Sequence, residues 1–329
     1  MGISALITGV TGSAGSYMAD FLTQNKSGEV AAFGISRWHS TSGNHNLSNS
    51  KEKVSLFDCD LLDLSAVIRT LSQIKPDVIF HFASHANVLL SFNNPLSVVD
   101  NNVRSTLNLM EALRILNLKP VVVAASTSEV YGKISLDDTP INENLIMRPM
   151  SPYGASKAFQ DHIELVYFEA FKIPIIRTRM FTYVNARRGD LFATSWARQI
   201  VDIEGGKRKT LKHGNLESIR TLLDVRDAME AYWLAFLKGR PGEAYNVGGT
   251  QSVKVGDVLR YLIAQSTADI NTELDPALIR PSDVTLQIPD CTKFMSETGW
   301  SPKYDVNSSL DFLLRETREN YNKQRAVSN

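Results

Sequence analysis

Short β-branched runs alternate with helical patterns through the first half of the chain, and this alternation constrains the fold more than any other feature. The runs that predict strands are Ile3–Thr8, Val30–Ile35, Val54–Phe57, Val78–Phe82 and Val121–Ser126. Helical periodicity fills the intervals, most clearly over Ser13–Gln24, Leu64–Ile74 and Val98–Leu116. Nearly continuous apolar strands separated by helices are typical of a parallel sheet with both faces covered. The pattern therefore predicts an α/β fold whose ligands bind beyond the carboxyl ends of the strands.

The alternation weakens after one further predicted strand, Ile173–Met180. Beyond it, the predicted helices are Phe192–Ile203, Asp227–Leu237, Val255–Gln265 and Ser308–Asn320. The chain has 329 residues, enough for two domains or subdomains. We expect a dinucleotide-binding domain from residues 1–180 and 223–248, and a smaller, interleaved C-terminal substrate domain from residues 181–222 and 249–329. The polar stretch 36–50 is predicted to be a mobile loop.

Composition excludes several classes of partner. Lys plus Arg and Asp plus Glu both number 35, so the chain has no electrostatic footprint for nucleic acid or an anionic membrane. No apolar run is long enough to span a bilayer, and the N-terminus does not resemble a signal peptide. Cys59 and Cys291 lie far apart, without metal-ligand spacing. We therefore expect a cytoplasmic protein with no metal, no membrane partner and no nucleic-acid partner.

A glycine-rich turn separates the first predicted strand from the first predicted helix. It runs Thr8-Gly9-Val10-Thr11-Gly12-Ser13-Ala14-Gly15. Glycines let the backbone turn tightly and approach a pyrophosphate, and the helix N-terminus offers free N–H groups. The alternative is a plain flexible connection. In this position the turn predicts a Rossmann-type doubly wound sheet, with Gly9, Thr11, Gly12 and Gly15 as cofactor-binding candidates.

Tyr153 and Lys157 lie four residues apart at the start of a predicted helix, and therefore on one face of it. An ammonium beside a phenol lowers the pKa of the phenol, and a phenol so tuned can exchange protons with a substrate hydroxyl. A solvated helix face is the alternative. The glycine-rich turn and the segment 126–129 favour the catalytic interpretation.

The Gly-x-x-Gly-x-x-Gly spacing together with Tyr-x-x-x-Lys resembles the extended type of the short-chain dehydrogenase/reductase superfamily, over essentially the whole chain. The second strand ends in Ser36-Arg37 with no acid following it, which favours NADP over NAD and makes both residues candidate phosphate contacts. A solvated loop arginine is the alternative. The superfamily pattern further implies that Asp60 and Leu61 lie along the adenine, and that Ala83 and Ser84 lie near the nicotinamide.

The segment Ser126-Thr127-Ser128-Glu129-Val130-Tyr131-Gly132 follows the fifth strand. It resembles the nucleotide-sugar 4,6-dehydratases, and among them the GDP-mannose 4,6-dehydratase family. The resemblance implies that Thr127 hydrogen-bonds the reacting hydroxyl and that Glu129 removes the C5 proton, with Tyr153 and Lys157 completing the catalytic set. The product would be a 4-keto-6-deoxy sugar, formed through a 4-keto intermediate with internal hydride recycling. The alternative for Glu129 is a cap or a salt bridge.

The same resemblance extends to residues that would hold a nucleotide-diphosphate hexose. The substrate-binding candidates are Ser91, Thr182, Arg220, Arg280 and Asp283. The segment Arg187–Thr194 resembles one that lies, in that family, where subunits meet over the cofactor. It implies a cofactor contact for Arg187 and a homodimer or homotetramer.

Other segments depart from that family. Met147–Gly154, Gln199–Glu204, Gly214–Glu217 and Asp224–Ala228 resemble GDP-4-keto-6-deoxymannose reductase. An NADPH-dependent reductase is therefore the alternative enzyme. A non-catalytic dinucleotide-binding scaffold is the alternative from another class, disfavoured because Thr127, Glu129, Tyr153 and Lys157 are all present. The chain also departs from the dehydratase pattern at Thr182, Trp196 and Thr221. The sequence therefore does not determine which sugar and which nucleotide base the substrate carries.

Overall fold

A computed structural model describes residues 2–37 and 45–328. The strands are β1 (Ile3–Thr8), β2 (Val30–Ser36), β3 (Val54–Asp58), β4 (Val78–His81), β5 (Val121–Thr127), β6 (Ile175–Met180), β7 (Tyr183–Val184), β8 (Thr210–His213), β9 (Ile219–Thr221), β10 (Leu223–Asp224), β11 (Ala244–Val247), β12 (Ser252–Lys254), β13 (Asn271–Leu274) and β14 (Leu286–Gln287). The helices are α1 (Ser13–Asn25), α2 (Leu64–Ile74), α3 (Val88–Asn93), α4 (Pro95–Ile115), α5 (Pro152–Phe171), α6 (Phe192–Glu204), α7 (Val225–Lys238), α8 (Val255–Ala264), α9 (Thr292–Thr298) and α10 (Val306–Ser328).

Seven strands form one parallel sheet in the order β11-β6-β5-β4-β1-β2-β3. The order reverses beside β1, which places the glycine-rich turn at the switch point where such sheets bind ligands. The predicted doubly wound α/β fold is confirmed. Each of the five strands predicted in the first half forms, and each boundary agrees within one residue.

Two apolar clusters pack against the sheet, one around Ile7, Phe80 and Tyr232 and the other around Leu6, Ile79 and Leu109. Residues 6 and 7, and likewise 79 and 80, point to opposite faces because strand side chains alternate. The sheet is therefore covered on both sides, as the nearly continuous apolar strands predict.

A further cluster lies among α6, α8 and α10, around Trp196, Ile200, Leu259 and Leu313. Short strands from the second half form small sheets, β12-β9-β14, β13-β8 and β10-β7. The assignment of residues 181–222 and 249–329 to a substrate domain remains a prediction.

Local capping explains where the helix boundaries differ from the prediction. Helix α4 begins at Pro95, three residues before Val98, because proline is suited to the first turn. Helix α7 begins at Val225 because the Asp224 side chain accepts a hydrogen bond from the Arg226 N–H.

The expected mobile loop 36–50 is only partly described. Ser36 closes β2, a short 3-10 helix begins at residue 45, and residues 38–44 lie outside the described ranges. Across the described ranges, no helix is both long and apolar enough to cross a membrane.

Candidate active site

The glycine-rich turn is fixed by close backbone approaches. Gly9 has φ +65°, and a Cβ on Gly15 would lie 2.3 Å from the Gly9 carbonyl oxygen. Helix α1 begins after Gly12, and no side chain caps its N-terminus. Beside these residues, the Thr11 carbonyl accepts a hydrogen bond from Asn46 Nδ2 at 3.0 Å. A tight cradle ending in uncapped helical N–H groups suits the pyrophosphate of a dinucleotide.

The adenosine-side candidates lie at the ends of β2 and β3. Ser36 pairs in register with Asp58, and Arg37 follows as an exposed residue. Asp60 Oδ1 accepts a hydrogen bond from the Leu62 N–H, while Leu61 is buried. The acid Asp58 was missed because it is distant in sequence and becomes a neighbour of Ser36 only through strand pairing.

The nicotinamide-side candidates follow β4. The Ala83 N–H donates to Thr8 Oγ1 at 3.2 Å, which ties this loop to β1. The hydroxyl of Ser84 is buried and has no hydrogen-bond partner within the described part of the chain. A buried, unpaired hydroxyl beside the glycine-rich turn is a group that a bound ligand can satisfy.

The catalytic candidates meet where β5 ends and α5 begins. Thr127 closes β5, and its hydroxyl accepts a hydrogen bond from the Glu129 N–H at 3.3 Å. Helix α5 begins at Pro152, because Ser151 caps it by accepting from the Gly154 N–H at 3.0 Å. This start places the Tyr153 phenol within hydrogen-bonding reach of the Thr127 side chain.

Burial raises the pKa of Tyr153 to about 12, and the phenol is only 7% exposed. The Arg188 guanidinium and the hydrogen bond with Thr127 lower this pKa, whereas Glu129 and Tyr183 raise it. The net pKa of Tyr153 is therefore raised rather than lowered as the sequence leads one to expect, because burial outweighs the lowering influences, of which the Arg188 charge is the largest.

Lys157 is buried one turn further along α5. Its ammonium donates to the Ala125 carbonyl at 2.5 Å and to Gln160 Oε1 at 2.8 Å. Burial lowers the pKa of Lys157, while the charges of Glu164 and Asp161 raise it. The lysine is thus held by the end of β5 and by its own helix.

Glu129 joins the catalytic candidates to the substrate-binding candidates. One carboxylate oxygen lies 3.6 Å from Arg280 Nη1 and 3.4 Å from Gln287 Nε2, and the side chain is 14% exposed. Arg280 and Arg220 each lie 3.8 Å from Asp283. The structure therefore brings two arginines and two carboxylates together near the phenol, although they come from three distant segments.

Arg220 is buried and offers a hydrogen-bond donor that a ligand could use. It is 7% exposed, burial lowers its pKa, and Nη1 has no hydrogen-bond partner in the described residues. Asp283 is anchored by Asn215 Nδ2 at 3.0 Å. A buried guanidinium with a free nitrogen suits a diphosphate or ribose oxygen.

The other predicted candidates have different surroundings. Ser91 donates to the Val88 carbonyl, and the Thr182 carbonyl accepts from the Leu223 N–H. Arg187 lies over the Tyr17 ring at 3.9 Å and pairs with Asp20 at 2.5 Å. The structure thus places Arg187 against α1 of its own chain, and its contact with a cofactor stays a prediction.

Sequence reasoning missed three residues at the centre of the site. Gln287 carries no motif, so nothing in the sequence marked it. Arg188 lies in the segment Arg187–Thr194, and Tyr183 follows the departure at Thr182, yet neither received a role. Their proximity to Tyr153 or Glu129 depends on tertiary folding.

The parallel sheet, the glycine cradle and the Tyr–Lys pair beside a strand-end threonine define an extended short-chain dehydrogenase/reductase that uses a nicotinamide dinucleotide. The family model described as GDP-mannose 4,6 dehydratase matches residues 6–311. The chain therefore belongs to the GDP-mannose 4,6 dehydratase family.

Individual relatives agree. GDP-mannose 4,6-dehydratase of Vibrio cholerae serotype O1 is 31% identical, over 94% of this chain and 92% of its own. RMD from Pseudomonas aeruginosa, solved with NADPH, is similar in fold, with a TM-score of 0.81, 23% identity, and coverage of 97% and 99% of the two chains. UDP-glucuronic acid 4-epimerase from Bacillus cereus, solved with UDP-glucuronic acid and NAD, has a TM-score of 0.84, 25% identity, and coverage of 97% and 100%.

Proposed function

We propose that this protein is a GDP-mannose 4,6-dehydratase, which removes one water from the hexose to give a GDP-linked 4-keto-6-deoxy sugar. The observation that carries the proposal is the position of Glu129. Its carboxylate is close enough to Tyr153 to raise the pKa of the phenol, and it lies 3.6 Å from Arg280. A simple oxidoreductase needs the phenol and a hydroxyl donor. An elimination also needs an acid–base group at the neighbouring carbons.

Residues of the dinucleotide half would hold the cofactor. Gly9, Gly12 and Gly15 would cradle the pyrophosphate, and Ser36 with Arg37 would contact the adenosine ribose. When bound, the nicotinamide supplies a hydride acceptor that returns the hydride in the same catalytic cycle. The cradle and the uncapped start of α1 fit such a group.

Tyr153 and Thr127 act on the C4 oxygen of the hexose. The phenolate of Tyr153 takes the proton of the C4 hydroxyl as that carbon is oxidised. Thr127 orients the same oxygen, and the Arg188 guanidinium favours the phenolate.

Glu129 then performs the elimination. The C4 ketone acidifies the proton on C5, and the carboxylate of Glu129 removes it. The resulting carboxylic acid gives that proton to the C6 hydroxyl, which leaves as water. C6 would then regain the hydride, and C5 would regain a proton equivalent to the one that Tyr153 took from the C4 hydroxyl. The net change is therefore the loss of one water, with no net oxidation.

Arg220 and Arg280 would bind the diphosphate. Their forked donors match phosphate oxygens, and Asp283 lies 3.8 Å from each, so the acid can hold both guanidiniums in place.

We infer NADP as the cofactor because the exposed Arg37 follows β2 directly. Asp58 is the acid nearest to Ser36 in strand register, and it is the group that could favour NAD instead. We expect Arg37→Ala to weaken NADP binding about tenfold and to leave NAD binding unchanged. Equal losses for both dinucleotides would contradict the assignment, and titration by fluorescence measures both.

The test of the activity is the mass of the product from GDP-mannose. With NADP present, the dehydratase yields a sugar nucleotide lighter by one water and leaves the NADPH absorbance unchanged. The reductase alternative leaves GDP-mannose intact and consumes NADPH only with the 4-keto sugar. A protein that binds the dinucleotide but converts neither sugar would be a scaffold. The same assay across a panel of nucleotide sugars identifies the hexose and the base.

A homo-oligomer in the cytoplasm is part of the proposal. Apolar side chains are exposed on neighbouring helices, with Leu96 85% exposed on α4 and Val166 51% exposed on α5. The two cysteines are buried and unpaired, which fits a reducing compartment. Light scattering distinguishes monomer, dimer and tetramer, and Leu96→Asp should shift the distribution toward monomer.

A further inference from the structure

Three buried polar side chains lie along one face of α5. Lys157, Gln160 and Glu164 are spaced by three and four residues, which aligns them on a helix. They are 3%, 2% and 1% exposed, respectively. We call these three residues the α5 polar row. Burying a charge is costly unless it is compensated, so the burial of this row calls for a physical explanation.

The row is connected by hydrogen bonds through Gln160. Lys157 Nζ donates to Gln160 Oε1 at 2.8 Å, and Gln160 Nε2 approaches Glu164 Oε1 at 3.5 Å. The amide thus presents its oxygen to the cation and its nitrogen to the carboxylate. This orientation links the two charges without direct contact between them.

Asp161, a neighbouring acid on the same helix, is a buried carboxylate whose charge is balanced by ion pairs. Asp161 is paired with Arg177 at 2.9 Å and with Arg179 at 3.0 Å, and it accepts from Ser126. Glu164 has no such ion pair in the described part of the chain, and Gln160 is its recorded hydrogen-bond partner.

We propose that Glu164 is a positioning residue, which acts through Gln160 to keep the Lys157 ammonium charged and fixed beside the carboxyl end of β5. The proposal rests on the proposed function, because the pH dependence of that reaction is its readout, and on the predicted place of Lys157 in the catalytic set.

The charges around Lys157 and Glu164 determine whether the pKa of Lys157 rises or falls when Glu164 is replaced. The charged neighbours of Lys157 are Glu164 and Asp161, both on α5. His81 on β4 also lies near Lys157, but burial lowers the pKa of this histidine to about 3, so its ring is neutral. Glu164 faces Lys157, Asp161 and Arg177 of β6. Burial lowers the pKa of Lys157 and raises that of Glu164, and each charge counteracts the effect on the other. Removing the Glu164 charge therefore lowers the pKa of Lys157 further, and the ammonium is lost at a lower pH.

The first experiment measures kcat against pH with GDP-mannose. Glu164→Gln keeps the shape of the side chain and removes its charge, so the alkaline limb of the profile should move to lower pH by about one unit. Gln160→Leu breaks the bridge, leaves both charges in place, and should move the limb in the same direction. The control is Glu169→Gln on the same helix, where the acid is 63% exposed. An alkaline limb that stays in place in Glu164→Gln overturns the proposal.

The second experiment does not depend on turnover. Thermal unfolding compares the wild type with Lys157→Met, Glu164→Gln and the double variant. Each single substitution leaves a buried charge uncompensated, so the double variant should lose less in Tm than the sum of the two single losses. Additive losses overturn the proposal even where the pH profile shifts. A wild type that does not convert GDP-mannose refutes the proposed function, and this cycle still decides whether residues 157 and 164 are coupled.

Discussion

The proposed dinucleotide end of this molecule is formed by the backbone, whereas the proposed sugar-nucleotide end is formed by side chains. At the dinucleotide end, a single short segment supplies the cradle through its backbone, and the contacts are between Gly9, Gly15 and their neighbours. At the sugar-nucleotide end, side chains of Glu129, Arg220 and Arg280 converge from distant segments. The first kind of site is therefore sensitive to any added side-chain atom. The second is sensitive to both the charge and the geometry of its side chains. Four predictions follow this difference from the largest effect to the smallest.

Glu129→Gln should reduce kcat on the order of 10²–10⁴-fold, because it removes an acid–base group and changes little in shape. Oxidation at C4 depends on Tyr153 and Thr127 and should persist. The absorbance of NADPH formed in a single turnover measures this oxidation. Turnover at the wild-type rate would show that this carboxylate has no role in the elimination.

Gly15→Ala should weaken dinucleotide binding about a hundredfold and lower stability by about 3 kcal/mol, because the new Cβ would lie 2.3 Å from the Gly9 carbonyl oxygen. Calorimetry and thermal unfolding measure the two effects. The matched control is Gly28→Ala, where φ is +86° and no atom lies within 4 Å. It should cost about 1 kcal/mol of backbone strain and leave binding intact. Equal binding in both variants would mean that the cradle is not the dinucleotide site.

Arg220→Lys should raise the KM for the sugar nucleotide about tenfold with kcat nearly unchanged, because the charge remains and the two-pronged contact is lost. Arg260→Lys, at a side chain 75% exposed, serves as the control. Should the KM stay constant while kcat falls, Arg220 would act on the reacting carbons instead of the diphosphate.

Arg188→Met should move the acid limb of the kcat profile to higher pH by about half a unit. The guanidinium lowers the pKa of Tyr153, so its removal raises that pKa, and the phenolate then forms only at higher pH. Arg188→Lys keeps the charge and should hold the limb near its wild-type position. An unchanged profile for Arg188→Met would leave the hydrogen bond with Thr127 as the main influence that lowers the pKa of the phenol.

The sequence predicted the dinucleotide end well because its determinants are local. The apolar periodicity of β1 to β5 and the glycines between β1 and α1 depend on neighbours in the chain, and both formed as expected. The positions of Thr127 and Tyr153 were predicted for a similar reason, since one ends a strand and the other lies in the first turn of a helix.

The rest required tertiary structure. The pKa of Tyr153 depends on how completely the phenol is buried, and no spacing rule reports that depth. Gln287 reaches Glu129 across 158 residues of chain. Asp58 becomes a neighbour of Ser36 only when β2 and β3 pair. The short strands of the second half were missed because two- to four-residue strands carry no periodicity.

The contact between α1 and α10 has a consequence for any attempt to divide the molecule. The Tyr17 hydroxyl donates to Glu316 at 2.5 Å across 299 residues of chain, while Arg187 covers the same ring. The helix that begins at the glycine-rich turn is therefore tied to the last helix of the fold by a side-chain hydrogen bond. A fragment cut before α10 would lose the Glu316 partner of Tyr17, so removal of the last helix should destabilise the region around the cradle as well as the C-terminus.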